Sequence, residues 1–148
     1  MTGVNVKRFA SESGSELIEC ALVLPLLLLV VLGIFDFGFL FQRYEVVTNA
    51  AREGARIGIL PAYSTADVQA RVAAYAAASG LPPGSSTTVE TVTVTTPSGS
   101  SFPAVRVTVE YPHQFLWLAP FASRFGGSFG TVTLRAVSVM RSEGATQS

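Results

Sequence analysis

The sequence predicts an α+β protein: a long N-terminal transmembrane helix, a short second helix and a small antiparallel sheet of about three to four strands. Three observations carry this. The stretch Cys20 to Phe41 holds 22 residues with a single charge, Asp36. As a helix it spans ~33 Å, close to the hydrocarbon thickness of a bilayer. A second segment, from Ser64 to Gly80, carries apolar positions at helical spacing between a capping residue and a Gly80, Pro82, Pro83 stop. Beyond it the pattern changes to period two in Val- and Thr-rich runs, the mark of half-buried strands.

The chain has 148 residues, which sets a prior of one domain. About 85 residues remain once leader and long helix are set aside, enough for a small core. Ten basic and ten acidic residues cancel, and charged residues make up 14%. That balance gives no electrostatic footprint for nucleic acid, and no nucleic-acid partner is expected. Cys20 is the sole cysteine, so no intramolecular disulfide forms, and it reads as a small hydrophobe facing lipid or a neighbouring helix.

Residues 1–14 are polar, and Lys7 and Arg8 precede the apolar run, which places this end in the cytoplasm. A secretory signal would leave its apolar core through small residues. Here Ile34, Phe35, Phe37 and Phe39 crowd the exit, so no cut is expected on the outer side. The remaining candidate is on the inner side, after Gly14. The run opens with the carboxylates Glu16 and Glu19. An ionised carboxylate at the edge of hydrocarbon is costly unless paired, so a fixed partner is expected. Pro25 removes one backbone hydrogen bond and predicts a kink, although membrane helices also tolerate proline.

The helix is expected to continue through Gln42 to Leu60. Glu45, Arg52, Glu53 and Arg56 suit a solvated face, while Ala50, Gly54 and Gly58 fall four apart with Ala51 and Ala55 beside them. Two interior glycines cost ~1 kcal/mol each against alanine. That cost implies a smooth strip on which another backbone packs closely; the alternative is a helix break near Gly58. Pro61 to Tyr63 make a turn. Ser64 or Thr65 then caps the second helix, with Val68, Val72 and Tyr75 on one face and Asp67 paired to Arg71 at i,i+4.

Thr87 to Thr96 and Ala104 to Tyr111 read as a hairpin around Pro97 to Ser101, and Thr131 to Arg141 as a third strand. Val105, Val107, Val109 and Tyr111 share one side, as do Val132, Leu134, Ala136 and Met140. The parity of the first strand is mixed, which points to a bulge near Glu90. Between the last two strands, Phe115, Leu116, Trp117, Leu118 and Phe121 are too apolar for a free loop. They are expected to cover a sheet face, or else to touch a membrane or partner. The end of the chain, 142–148, reads as a disordered tail.

No constellation for catalysis emerges. His113 is the only histidine and reads as a surface or sheet-edge residue. The carboxylates are scattered rather than clustered for a metal, and the glycines form no phosphate loop. No catalytic residue, metal or cofactor is expected.

Three pieces of sequence together resemble a known family. They are Gly14-Ser-Glu-Leu-Ile-Glu-Cys-Ala-Leu-Val-Leu-Pro25 with the leucines that follow, Gly33-Ile-Phe-Asp-Phe-Gly38, and Thr48-Asn-Ala-Ala-Arg-Glu-Gly-Ala-Arg56. They resemble the TadE-like proteins, pilin-related subunits of the tight-adherence (Tad) pilus, a branch of the type IV pilus systems. The run from Asn49 to Arg56 is the most specific part. The resemblance implies that a prepilin peptidase cuts between Gly14 and Ser15, so that Glu19 becomes the fifth residue of the mature chain. It supplies the partner for that acid: the N-terminal amine of an adjacent subunit. Cys20 stands where the family usually has an aromatic residue, and Glu16 where a small one is common.

The expected organisation is a cytoplasmic leader (1–14), a long pilin-like helix (15–60) with its transmembrane segment at about 17–41, an extracytoplasmic α+β head (61–141) and a tail (142–148). The resemblance implies a minor pilin or pseudopilin of the bacterial inner membrane, single-pass, with its N-terminus inside. It would act without chemistry of its own, by helix packing through Glu19, Pro25, Asp36, Asn49, Arg52, Glu53, Gly54 and Arg56. Its expected partners are the bilayer, other pilin subunits, the prepilin peptidase and the Tad assembly platform. The rival readings are a static single-pass envelope protein that binds a partner through its head, and a small membrane-anchored hydrolase.

Overall fold

The computed structural model describes residues 7–124, 126–127 and 130–142, with side chains from residue 14 onward. The elements are α1 (Lys7–Gly58), α2 (Thr65–Ala78), β1 (Ser86–Thr95), β2 (Ser101–His113), α3 (Leu118–Ser123) and β3 (Val132–Arg141). The fold is α+β, as the patterning predicts, with three strands in the antiparallel order β1-β2-β3. Leader residues 1–6 and tail residues 143–148 lie outside the described residues.

The 52-residue α1 runs unbroken through Pro25, Gly33, Gly38 and Gly54. It stops at Gly58, where the i→i−4 ladder gives way to a tighter bond from the Leu60 N–H to the Ile57 carbonyl, 3.0 Å. Helix α2 begins with a reciprocal cap. The Ser64 hydroxyl accepts from the Asp67 N–H, and the Asp67 carboxylate accepts from the Ser64 N–H. It ends in a Schellman turn: the Leu81 N–H reaches the Ala76 carbonyl and the Gly80 N–H the Ala77 carbonyl, both at 3.0 Å. Gly80 sits at φ +77°, which a residue with a Cβ rarely adopts.

The pairing of β1 with β2 is continuous from Ser86↔Glu110 to Thr95↔Ser101, so no bulge interrupts Glu90. The mixed parity has another cause. Thr87 and Val89 are half-buried on one face, whereas Val92 and Val94 are half-buried on the other, opposite Ala104 and Phe102. The strand changes the face it buries without changing register. In β2 the alternation is as expected, and Val105, Val107, Val109 and Tyr111 are all buried.

The chain divides into two units. One comprises Met1–Phe37 with Phe115–Phe129, the other Gly38–Gln114 with Gly130–Ser148. The second holds the hydrophobic core. Val47, Ala50, Ala51, Ala55 and Ile57 of α1 meet Val68, Val72 and Ala76 of α2 and the inward residues of β2 and β3. Each fully buried valine contributes roughly 1.5–3 kcal/mol.

Candidate functional site

The residues singled out by sequence fall into three groups along α1. The first is the inner end. Gly14 and Ser15 lie within the helix rather than ahead of it. Glu16 and Glu19 are exposed, and among the described residues neither side chain has a hydrogen-bond or ion-pair partner. From Leu17 to Leu28 the apolar side chains are exposed as well: Leu17 is 71% exposed and Leu22 74%. α1 is long and apolar enough to cross a membrane.

The second group centres on Asp36, which is buried to 1%. Its carboxylate Oδ1 accepts from the Leu116 N–H at 2.9 Å. Its Oδ2 accepts from the N–H groups of Trp117 and Leu118, at 3.1 and 2.7 Å. These are backbone donors at the start of α3, whose own cap position, Trp117, supplies no side-chain acceptor. A carboxylate 82 residues away therefore takes the part of the N-cap. Two ring contacts flank it: Phe35 with Trp117 at 6.0 Å between centroids, and Phe37 with Phe115 at 5.9 Å. The apolar segment after β2 thus packs on α1. The buried acid needs donors, and this backbone supplies three.

The third group is the run Asn49 to Arg56. Its small residues face inward: Ala50, Ala51 and Ala55 are buried, and a Cβ added at Gly54 would lie 2.5 Å from Val72 Cγ2 and 3.1 Å from Val107 Cγ1. The smooth strip is occupied by this chain's own valines. The polar residues face outward. Arg56 donates two hydrogen bonds to Glu53, both at 2.9 Å, and Arg71 of α2 donates two more to Oε1 of the same carboxylate, at 3.2 and 3.0 Å. Held by Arg56 first and Arg71 second, Glu53 has its pKa lowered from 4.5 to about 2. Arg52 reaches Asn49 Oδ1 at 3.5 Å.

Sequence reasoning assigned Arg71 to Asp67. The Ser64 hydroxyl, 2.6 Å from the Asp67 carboxylate, takes that acid instead and, with the Ser64 N–H, lowers its pKa. Arg71 is then free to bridge to α1. His113 is also placed differently from expectation. It is 1% exposed, and its Nδ1 accepts from Arg43, 2.9 Å away. A guanidinium can only donate, so in this bond the ring carries its proton on Nε2. Arg43 also lies 5.7 Å from the Tyr111 ring centroid. The histidine joins α1 to the end of β2. Among the described residues, no three His, Cys, Asp or Glu side chains gather as a metal site.

Residues 14–56 match the family model described as TadE-like protein. This is the span on which the sequence resemblance rests, and it contains all three groups. No curated protein and no solved structure matches the chain.

Proposed function

We propose, from the match of residues 14–56 to the TadE-like proteins, that this chain is a minor pilin or pseudopilin of a Tad-type pilus. α1 anchors it in the bacterial inner membrane with the N-terminus in the cytoplasm and the α+β head outside. A prepilin peptidase removes the leader after Gly14. The mature chain then primes, caps or joins a fibre through its hydrophobic helix.

The observation that carries this reading is the bare inner half of α1. From Leu17 to Leu28 every leucine is exposed, and Glu19 stands among them. Lipid covers such a surface before assembly, and neighbouring helices cover it afterwards. An acid with no partner among the described residues is costly in that setting. The amine created at Ser15 of an adjacent subunit offsets that cost and selects the docking register. The protein supplies no chemistry of its own; the peptidase and the assembly platform do.

Mass spectrometry of the protein purified from its own membranes tests this. A chain beginning at Ser15 is expected; an intact Met1 to Ser148 species supports the static single-pass anchor instead. Glu19→Ala is expected to insert normally and to lose piliation. Unchanged piliation in that variant removes the pairing from the mechanism.

A further inference from the structure

We infer that the segment Phe115–Ser123, clamped to α1 by Asp36, is an interfacial foot that lies in the outer headgroup boundary of the bilayer. The inference rests on the single-span reading of α1 and adds a second point of membrane contact.

Depth is the first argument. Asp36 lies 19 residues beyond Leu17 (36 − 17). At about 1.5 Å per residue that is ~29 Å, against ~30 Å of hydrocarbon. With Leu17 at the inner edge, Asp36 falls at the outer one. Whatever Asp36 holds is held at that level.

Chemistry is the second. Between Phe115 and Ser123 there is no charged residue; the first is Arg124, which is exposed. Leu116 and Trp117 are 51% and 39% exposed, beside Ile34 and Phe35 at 67% and 55%. The apolar surface of the span therefore continues onto this segment without a polar break. Tryptophan and other aromatics concentrate at the interface, where a ring has an apolar body in the chains and a polar edge toward water.

The third argument is what the patch lacks. The one carboxylate beneath it already accepts three backbone hydrogen bonds. It asks nothing of an outside partner, and the patch offers a protein no charge to read. An apolar, aromatic, hydrogen-bond-satisfied surface at that depth fits lipid rather than a second copy of the chain.

Trp117 is the only tryptophan, so its fluorescence reports on this segment alone. The full-length protein is reconstituted into phosphatidylcholine–phosphatidylglycerol vesicles. Emission is then read with lipids brominated near the headgroup or near the chain end, and with aqueous iodide. The expected result is blue-shifted emission, strong loss with headgroup-proximal bromines, weaker loss with chain-end bromines, and little loss with iodide. Asp36→Asn, which removes acceptor capacity but keeps the shape, is expected to shift emission to the red and raise iodide quenching with helix content unchanged. Iodide-accessible Trp117 that brominated lipid does not quench, in protein that floats with the vesicles, overturns the foot and leaves the anchor standing. Protection that grows with protein-to-lipid ratio and ignores bromine assigns the patch to a second copy and also overturns it. Protein that does not float fails the single-span reading itself.

Discussion

At Gly54 the absence of one carbon decides how α1 meets the rest of its unit. Alanine would improve the helix by ~1 kcal/mol. Its Cβ, however, would stand 2.5 Å from Val72 Cγ2, with Val107 at 3.1 Å on the other side. Val72 and Val107 are both fully buried and have nowhere to retreat. Overpacking of this kind costs roughly 1–3 kcal/mol, so the clash wins. Gly54→Ala is expected to lower the unfolding free energy of the detergent-solubilised protein, measured by urea titration, by a net ~1 kcal/mol. Gly58→Ala, whose nearest contact is Val105 Cγ1 at 3.0 Å, is expected to lose less. A Gly54→Ala protein as stable as the parent would mean that the valines yield and that the glycine serves something outside this chain. Asp36 makes the complementary point. Burying a carboxylate is costly unless it is hydrogen-bonded, and here three backbone N–H groups offset that cost.

Between elements, Glu53 is the polar tether of α1 to α2, since Arg56 lies on its own helix and Arg71 on the neighbour. Its depressed pKa gives this tether a pH window. The carboxylate titrates near 4.5 when free and near 2 in the folded protein. Its stabilising contribution is therefore complete above about pH 4.5 and is lost as pH falls through about 2. Glu53→Gln is expected to be less stable than the parent at pH 7, with the gap closing as both are titrated toward pH 2. A gap that stays constant would show that packing, not charge, holds the helices. The elements themselves were largely legible in the sequence. The alternation from Val105 to Tyr111 and the Ser64 to Gly80 boundary signals are local, and local signals survive folding. The bonds between elements were not legible. Arg71 had an acid four residues away and took one 18 residues away instead. Phe115 to Phe121 showed apolar character but not its destination, because the acid that receives it lies about 80 residues earlier.

Across the whole molecule, one continuous helix serves two units stabilised by different physics. The unit containing Met1–Phe37 depends on a buried carboxylate, its three donors and two aromatic pairs. The unit that begins at Gly38 depends on aliphatic packing between two helices and a sheet. Their stabilities should therefore be separable by mutation. Asp36→Ala leaves three amide donors without their acceptor, and the buried one, at Leu118, costs about 1–3 kcal/mol. It is expected to speed hydrogen exchange at Leu116 and Leu118 by roughly a hundredfold, as a local opening of that size does, while the amide of Val107 stays protected. Val72→Ala opens a void beneath β2 and is expected to do the reverse, loosening Val107 and leaving Leu118 protected. Exchange measured by mass spectrometry on both full-length variants in one detergent separates the cases. If either substitution loosens both regions together, α1 couples the two units into one cooperative fold, and the bonds at Asp36 then stabilise the head as well as the segment they hold.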